Sequence, residues 1–420
     1  MDYHPRWVDL ELDELTALPA VALDGAKGVG KTKTAARRAR SVLRMDDLRD
    51  RELLDAYPDR LLEVPAPVLI DEWQRHPAVW DLVRRAVDED RAPGRYLLTG
   101  SASVPADVPI HSGAGRIVPV RMRPMALTER PGIHPMIGLG DLLGPAPTAV
   151  QGSTDALLPD YAEAICATGL PGLLGQTDRA RRRSVRGYLD SILDRDVPDL
   201  GRGVRRPAAL RGWLRAYAAA TSTTASYATI LAAATVGDGD PPSRPTAQAY
   251  RDVLSRIWLL DPLPGWAPVT SSLQRLQVAP KHHLSDPGLA AGLLGATPAS
   301  LMAGQGHALR PSGLLASLFE SLVVLTVRVA AQVHGAEVFH CRTRDGDHEI
   351  DLIVENPDGS VVALEVKLGA TPSDADVRHL TWLETRLGER VRDAVVVTTG
   401  RDAYRRRDGI AVVPLALIGP

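Results

Sequence analysis

The eight residues Gly25-Ala26-Lys27-Gly28-Val29-Gly30-Lys31-Thr32 constrain this chain more than any other stretch. They fit the spacing G-x-x-x-x-G-K-[ST] and lie between an apolar run, Ala20 to Leu23, and a helix-forming run, Lys31 to Arg40. Glycines at 25, 28 and 30 free the backbone so that N–H groups curl around an anion. A lysine adds a point charge, and the start of a helix points its own N–H groups at the same place. Such a loop needs a strand before it and a helix after it, which is the opening unit of a parallel α/β sheet.

The chemistry that suits this loop is Mg-ATP. Gly25, Gly28, Gly30 and Lys31 would hold the phosphates, Lys31 neutralising the β and γ oxygens, and Thr32 would ligate Mg²⁺. Lys27 and Lys33 read as a solvated loop residue and a helix residue. Downstream, the apolar run Pro67-Val68-Leu69-Ile70 ends in Asp71-Glu72. Asp71 would hold Mg²⁺ through water and Glu72 would polarise the attacking water as general base. The bland alternative is a strand end meeting solvent. Tyr96 to Thr99 is a further strand, and it carries the Thr99 hydroxyl to the same sheet edge as a sensor of the γ-phosphate. Gly115-Arg116 opens the next strand, and Arg116 is a candidate for an arginine supplied to a neighbouring subunit, against the alternative of an ordinary surface residue.

Strands alternate with helices through the first 130 or so residues, with Ser41 to Met45 as another strand and Val79 to Val87 as another helix. The Pro/Gly-rich stretch Gly132 to Gly152 breaks that pattern and marks a domain boundary. Amphipathic helices are expected at Ala180 to Asp194, Pro207 to Ala220, Tyr227 to Thr235 and Thr246 to Ile257, followed by the strand-like IWLLDPLPGW. Helix, turn, helix, strand is a winged-helix layout; a generic helical bundle is the alternative. Beyond residue 303 the pattern is mixed: an apolar helix Leu314 to Ala331, strands Glu337 to Cys341, Glu349 to Glu355 and Val361 to Val366, a helix Asp374 to Leu387 and a strand Ala394 to Thr398.

At 420 residues the chain has room for about two to three domains. Neither a signal peptide nor an uninterrupted apolar run of membrane length is expected, so the reading is cytoplasmic with no membrane partner. Two distant cysteines, Cys166 and Cys341, indicate neither a disulfide framework nor a zinc site. A formal net charge of -2 leaves any nucleic-acid contact to local patches. Of 49 cationic residues only five are lysine: Lys27, Lys31, Lys33, Lys281 and Lys367. In a chain that otherwise writes arginine, a retained lysine marks a place where a compact ammonium is needed and a planar fork is not.

The ordered motifs GAKGVGKT, VLIDEWQRHP, LLTGSAS and GAGRI resemble a bacterial and archaeal group of AAA-superfamily ATPases. In that group the C-terminal half is a domain of unknown function ending in a restriction-endonuclease-like fold. Gly169-Leu170-Pro171, Arg195-Asp196, Lys281 and Asp286 in KHHLSDPGL, and Glu320 in LFESLVV look like that group's second half. The resemblance implies a P-loop ATPase domain with a parallel sheet over 1–150, a helical domain with a winged helix over 151–303, and an α/β endonuclease-like domain over 304–420.

A second site is readable independently of that resemblance. Asp351 opens one apolar strand and Glu365-Val366-Lys367 closes the next, with thirteen residues between Asp351 and Glu365. Strand alternation puts Glu365 and Lys367 on one face, and a hairpin brings Asp351 alongside. Asp351 and Glu365 would hold Mg²⁺ while Lys367 orients or deprotonates a water. Glu320 resembles the extra acid of such folds, whereas Ile350 stands where the PD-(D/E)xK signature has proline. The sharp reading is a metal-dependent nuclease; the bland one is a binding domain with a strand-face ion pair. Three functions therefore stand together: an Mg-ATP hydrolase controlling a DNA-directed C-terminal half, an ATP-regulated nuclease, and a non-catalytic switch that binds DNA or a protein partner, with homo-oligomer formation open in each.

Overall fold

A computed structural model of the chain describes residues 3–14, 17–102, 112–146, 148–199, 207–234, 243–266, 279–304, 313–343 and 346–420. Two compact units result. Unit 1 comprises Met1–Pro124, Leu170–Gly172 and Val253–Leu259, and unit 2 comprises Met125–Gly169, Leu173–Asp252 and Leu260–Pro420.

Unit 1 is built on five parallel strands: β1 (Ala20–Asp24), β2 (Ser41–Arg44), β3 (Val68–Asp71), β4 (Tyr96–Gly100) and β5 (Ile117–Arg121), in the order β2-β3-β4-β1-β5. The central strands are apolar almost without interruption because helices cover both faces; β3 is buried at all four positions. Edge positions read differently. Val42 on β2 is exposed, and Pro119 sits in β5, an edge strand that can spare an N–H. The helix Ala78–Glu89 lays Val79, Trp80, Val83, Ala86 and Val87 on one buried face. Trp80 meets Trp73 at a ring separation of 4.5 Å. Each fully buried aliphatic side chain of this core contributes on the order of 1.5–3 kcal/mol. In such a sheet ligands bind beyond the carboxyl ends of the strands, the edge that carries Gly25, Asp71-Glu72 and Thr99.

Unit 2 carries an eight-stranded mixed sheet. Its members are β7 (Gly152–Ser153), β8 (Gly265–Trp266), β9 (Glu337–Arg342), β10 (Glu349–Glu355), β11 (Val361–Val366), β12 (Val391–Thr398), β13 (Asp402–Arg405) and β14 (Ala411–Pro414), in the order β7-β13-β14-β12-β11-β10-β9-β8. Strands β9, β10 and β11 are antiparallel neighbours, and β11, β12 and β14 run parallel. A small pair joins β6 (Ile137–Gly138) to β15 (Ile418–Gly419). Helices Leu158–Ala167, Asp178–Ser191, Pro207–Ala219 and Pro287–Leu294 form the helical part.

Two expectations are corrected here. The stretch Gly132 to Gly152 does not separate units: β6 and β7 pair with β15 and β13, so the chain from Met125 belongs to unit 2 together with the C-terminal sheet. The strand expected at IWLLDPLPGW is present only in pieces, and part of the winged-helix layout lies outside the described residues. Leu260 and Leu263 make isolated bridges to Leu284 and Lys281, and Gly265–Trp266 joins the large sheet beside β9. Burial of Leu260, Leu263 and Trp266 drives that docking. The helices Tyr227–Ala233 and Arg244–Arg256 are present, and most of the loop expected between them lies outside the described residues.

The helix Gly313–Val333 is long and apolar enough to cross a membrane by length and composition, yet 83% of its most apolar window is buried inside the structure. Its two charges explain the placement. Glu320 is bound by Lys281, and Arg328 Nη1 donates to Asp261 Oδ1 at 2.6 Å. Partners for both charges come from the protein around the helix, as an interior helix requires.

Candidate nucleotide site

Every residue of the loop at Gly25–Thr32 takes a conformation that its type makes available. Gly30 sits at φ +107°, and a side chain on Gly25 would collide with the Met122 carbonyl oxygen, 2.1 Å from the position of its Cβ. Glycine is needed at both places, at one for backbone angle and at the other for space. Arg6, from the N-terminal segment, donates to Val29 O at 2.8 Å and to Arg123 O at 2.9 Å, tying the loop to the chain just after β5.

Lys31 is buried, and its ammonium donates to Gly25 O at 2.7 Å and Ala26 O at 2.8 Å. Burial holds its pKa down to about 8, against the opposing pull of Glu72, Asp24 and Asp71. Asp24, at the end of β1, is pushed up to about 6 by its own burial, with Lys31 working against the rise. The Lys31 shift has a measurable consequence. Arriving phosphates stabilise the ammonium, so the complex takes up a proton wherever the free protein has lost one. Affinity for ADP should be level below pH 8 and fall by up to about tenfold per pH unit above it; calorimetric titrations between pH 7 and 9.5 check this, and a flat profile would refute the buried-lysine account.

Asp71 accepts two hydroxyls on one oxygen. Thr32 Oγ1 donates to Asp71 Oδ1 at 2.8 Å, and Thr99 Oγ1 donates to the same atom. The residues read from three separate motifs therefore meet at one carboxylate. Glu72 follows in the left-handed region at φ +53°, a conformation that costs a non-glycine residue on the order of 1 kcal/mol and occurs chiefly where function holds it. That turn sends its carboxylate to Gln74 Nε2 and to Ser101 Oγ, the latter at 3.0 Å. Gln74 Nε2 also donates to Ser101 Oγ at 3.1 Å.

A cavity of about 540 Å³ opens over the loop, within the range of small-molecule sites. Lys31, Thr32 and Glu72 line it, together with Tyr3, Arg75 and Pro171. The last three carried no role in the sequence reading. Pro171 was visible only as part of a family-like motif, and no spacing rule links residue 3 or 75 to a loop at 25–32. Arg75 is exposed, and among the described residues no carboxylate lies within ion-pair reach of it. Arg116, by contrast, precedes Ile117, which pairs with Ala20 at the start of β1, so it stands at the sheet edge opposite the loop. Its guanidinium holds Asp88 at 2.8 Å. It does not face the nucleotide cavity of its own chain.

The second cluster forms in unit 2, with one participant whose place the sequence reading missed. The β10–β11 register, Leu352 opposite Leu364, carries Asp351 across from Glu365, and Lys367 Nζ reaches Glu365 Oε1 at 2.9 Å. The expected convergence of these three residues is present. Between the acids, however, Lys281 inserts a fully buried ammonium that lies 2.9 Å from Glu320, 2.9 Å from Asp351 and 3.2 Å from the partly exposed Glu349. The three carboxylates hold its pKa above the ordinary lysine value despite burial. Glu365 is pushed up to about 8 by burial and by the Asp351 charge opposite. Among the described residues no group of three acids, histidines or cysteines is arranged to hold a metal. Of the residues expected to bind Mg²⁺, Glu320 and Asp351 share the Lys281 ammonium, while Glu365 is held by Lys367.

Fold, loop and matched sequence together define residues 18–130 as an AAA-type P-loop nucleotide-binding domain; the AAA domain model matches that range. Two further models of domains of unknown function match, DUF8612 over 158–300 and DUF4143 over 315–418. Among curated proteins, the uncharacterized protein Rv2008c of Mycobacterium tuberculosis and the uncharacterized protein Mb2031c of Mycobacterium bovis are each 25% identical over 351 residues, 83% of this chain and 68% of theirs. A solved structure, the Walker-type ATPase PABY2304 of Pyrococcus abyssi, is 16% identical with a TM-score of 0.40, covering 70% of this chain and 96% of that one.

Proposed function

We propose that the chain hydrolyses ATP with Mg²⁺ at the loop Gly25–Thr32 and that its nucleotide state governs what unit 2 binds, either DNA or a partner protein. The observation that carries the first half is the meeting of Thr32, Thr99 and Asp71 at one oxygen, beside a buried Lys31 and a strained Glu72. This donor set fits Mg²⁺, a hard cation that takes one or two protein oxygens and completes its shell with water and phosphate. Bound there, Mg²⁺ would neutralise charge on the β and γ oxygens; Thr32 and Asp71 are the residues to hold it.

The rest is done by the chain itself. Lys31 leaves its two loop carbonyls for phosphate oxygens, exchanging neutral acceptors for charged ones. Glu72 is general base for the attacking water once its carboxylate releases Gln74 and Ser101. Thr99 passes the state of the γ-phosphate to Asp71 through their shared hydrogen bond. Arg75, exposed at the cavity, supplies positive charge within the chain, while Arg116 is placed to serve a neighbouring copy if the chain oligomerises. For unit 2, the lysine-filled acid cluster favours binding over cleavage, so incubation with Mg²⁺ or Mn²⁺ should leave linear and supercoiled DNA intact.

Glu72→Gln is expected to bind ATP normally and to lose about 10²–10⁴ in turnover, the range for a general base. Phosphate release by the purified chain, measured alongside nucleotide binding, decides it. Turnover unchanged in both Glu72→Gln and Lys31→Ala would sink the hydrolase assignment.

A further inference from the structure

A second cavity, of about 540 Å³, lies wholly within unit 2 and takes no part in either site above. Its rim is made by two pairs of arginines, each pair one helical turn apart: Arg182 and Arg186 on the helix Asp178–Ser191, and Arg211 and Arg215 on the helix Pro207–Ala219. Between the rims the floor is apolar, with Val185, Leu189 and Ala291 buried. The floor is also tightly set. Gly292 lets the helix Pro287–Leu294 come so close that a Cβ there would lie 2.6 Å from Val185 Cγ1.

Charge around this cavity is unbalanced. Asp178 is the single acid among its lining residues, and Arg181 holds it. Arg211 holds Asp190 at 2.6 Å, and Arg186 reaches the same carboxylate only at 4.0 Å. Arg182 and Arg215 are exposed, and among the described residues neither has a carboxylate within ion-pair reach. Two uncompensated guanidiniums therefore line an apolar hollow.

We propose that this cavity binds an organic phosphate of nucleotide size, with its phosphate on Arg182 and Arg215 and its body on the Val185–Leu189–Ala291 floor. Arginine forks match phosphate oxygens two at a time, which makes phosphate the anion they recognise best. The apolar floor calls for more than a bare ion, and the volume falls in the range of roughly 300–1,000 Å³ that suits a compact ligand. The same chemistry is offered by a free mononucleotide and by the 5′-phosphorylated end of a nucleic-acid strand.

The test uses the full chain carrying Lys31→Ala, which removes the loop lysine and keeps the outcome independent of the ATPase reading. A fluorescent AMP derivative and a 5′-phosphorylated trinucleotide are each titrated by anisotropy at low and at physiological salt. At least one probe should bind saturably, weaken as salt rises, and lose about tenfold or more in affinity in Arg182→Glu/Arg215→Glu. Both arginines are exposed, so the double variant should keep its unfolding midpoint. Tighter AMP identifies a free nucleotide and a tighter trinucleotide identifies a strand end; either outcome supports the site. Failure of both probes to saturate overturns the proposal, as does an affinity untouched by the double substitution or competition by inorganic phosphate as strong as by AMP.

Discussion

Lys31→Ala should lower ATP turnover by at least about 10²–10³, the loss expected when one charged group is removed from a developing phosphate charge in a closed site. Two roles vanish together. The ammonium bridges Gly25 O and Ala26 O, which fixes the first turn of the loop, and it is the charge that phosphate oxygens would meet. Lys31→Arg should fare little better, because a planar guanidinium cannot occupy a buried position shaped around a tetrahedral ammonium. Phosphate release at saturating Mg-ATP, together with nucleotide affinity, separates the roles: a variant that binds at wild-type strength but fails to turn over has lost only transition-state stabilisation. Wild-type turnover in Lys31→Ala would place the chemistry elsewhere.

Lys281→Ala is expected to give the largest loss of stability in unit 2. It strands Glu320 and Asp351, both almost inaccessible to water, without their counter-ion. Removing one partner of a buried ion cluster costs about 3–5 kcal/mol, enough to lower the unfolding midpoint by on the order of 10 °C. Glu349, partly exposed, can turn to solvent and adds little. A triple variant, Lys281→Met/Glu320→Gln/Asp351→Asn, removes all the buried charge while keeping volume, and it should recover most of the loss. Calorimetry on the wild type, Lys281→Ala and the triple variant checks the series. If Lys281→Ala unfolds at the wild-type temperature, the ammonium is not what holds these acids.

How much of this was legible in the sequence depends on the range of the interactions involved. The loop Gly25–Thr32 is a local object: eight consecutive residues, two of them glycines that backbone angle and space require, between a strand and a helix that their own apolar pattern predicts. Asp71 and Thr99 were legible for a related reason. Parallel strands all end on one edge, so a polar residue that follows an apolar run is delivered to the loop's edge by topology alone. Asp351, Glu365 and Lys367 followed from two-residue alternation on a hairpin.

Tertiary structure decided what no local period encodes. Lys281 comes from a segment joined to the chain around it by isolated bridges to Thr221, Leu260 and Leu263, and nothing near it in the chain says that its ammonium will lie among Glu320, Glu349 and Asp351. Its rarity as a lysine and its place in the family-like KHHLSDPGL were the hints. Arg116 stands at the edge opposite its own loop, since a residue before a parallel strand lies at the edge opposite one that follows it. The boundary set at Gly132 to Gly152 failed because two-residue strands there pair with partners more than 200 residues away. The sequence by itself determined the phosphate loop, the parallel sheet around it and the register of the β10–β11 hairpin, because each is set by nearest-neighbour geometry. Which charges neutralise which, only the packed chain decided, because burial makes a distant counter-ion worth several kcal/mol and the sequence does not say where that counter-ion will come from.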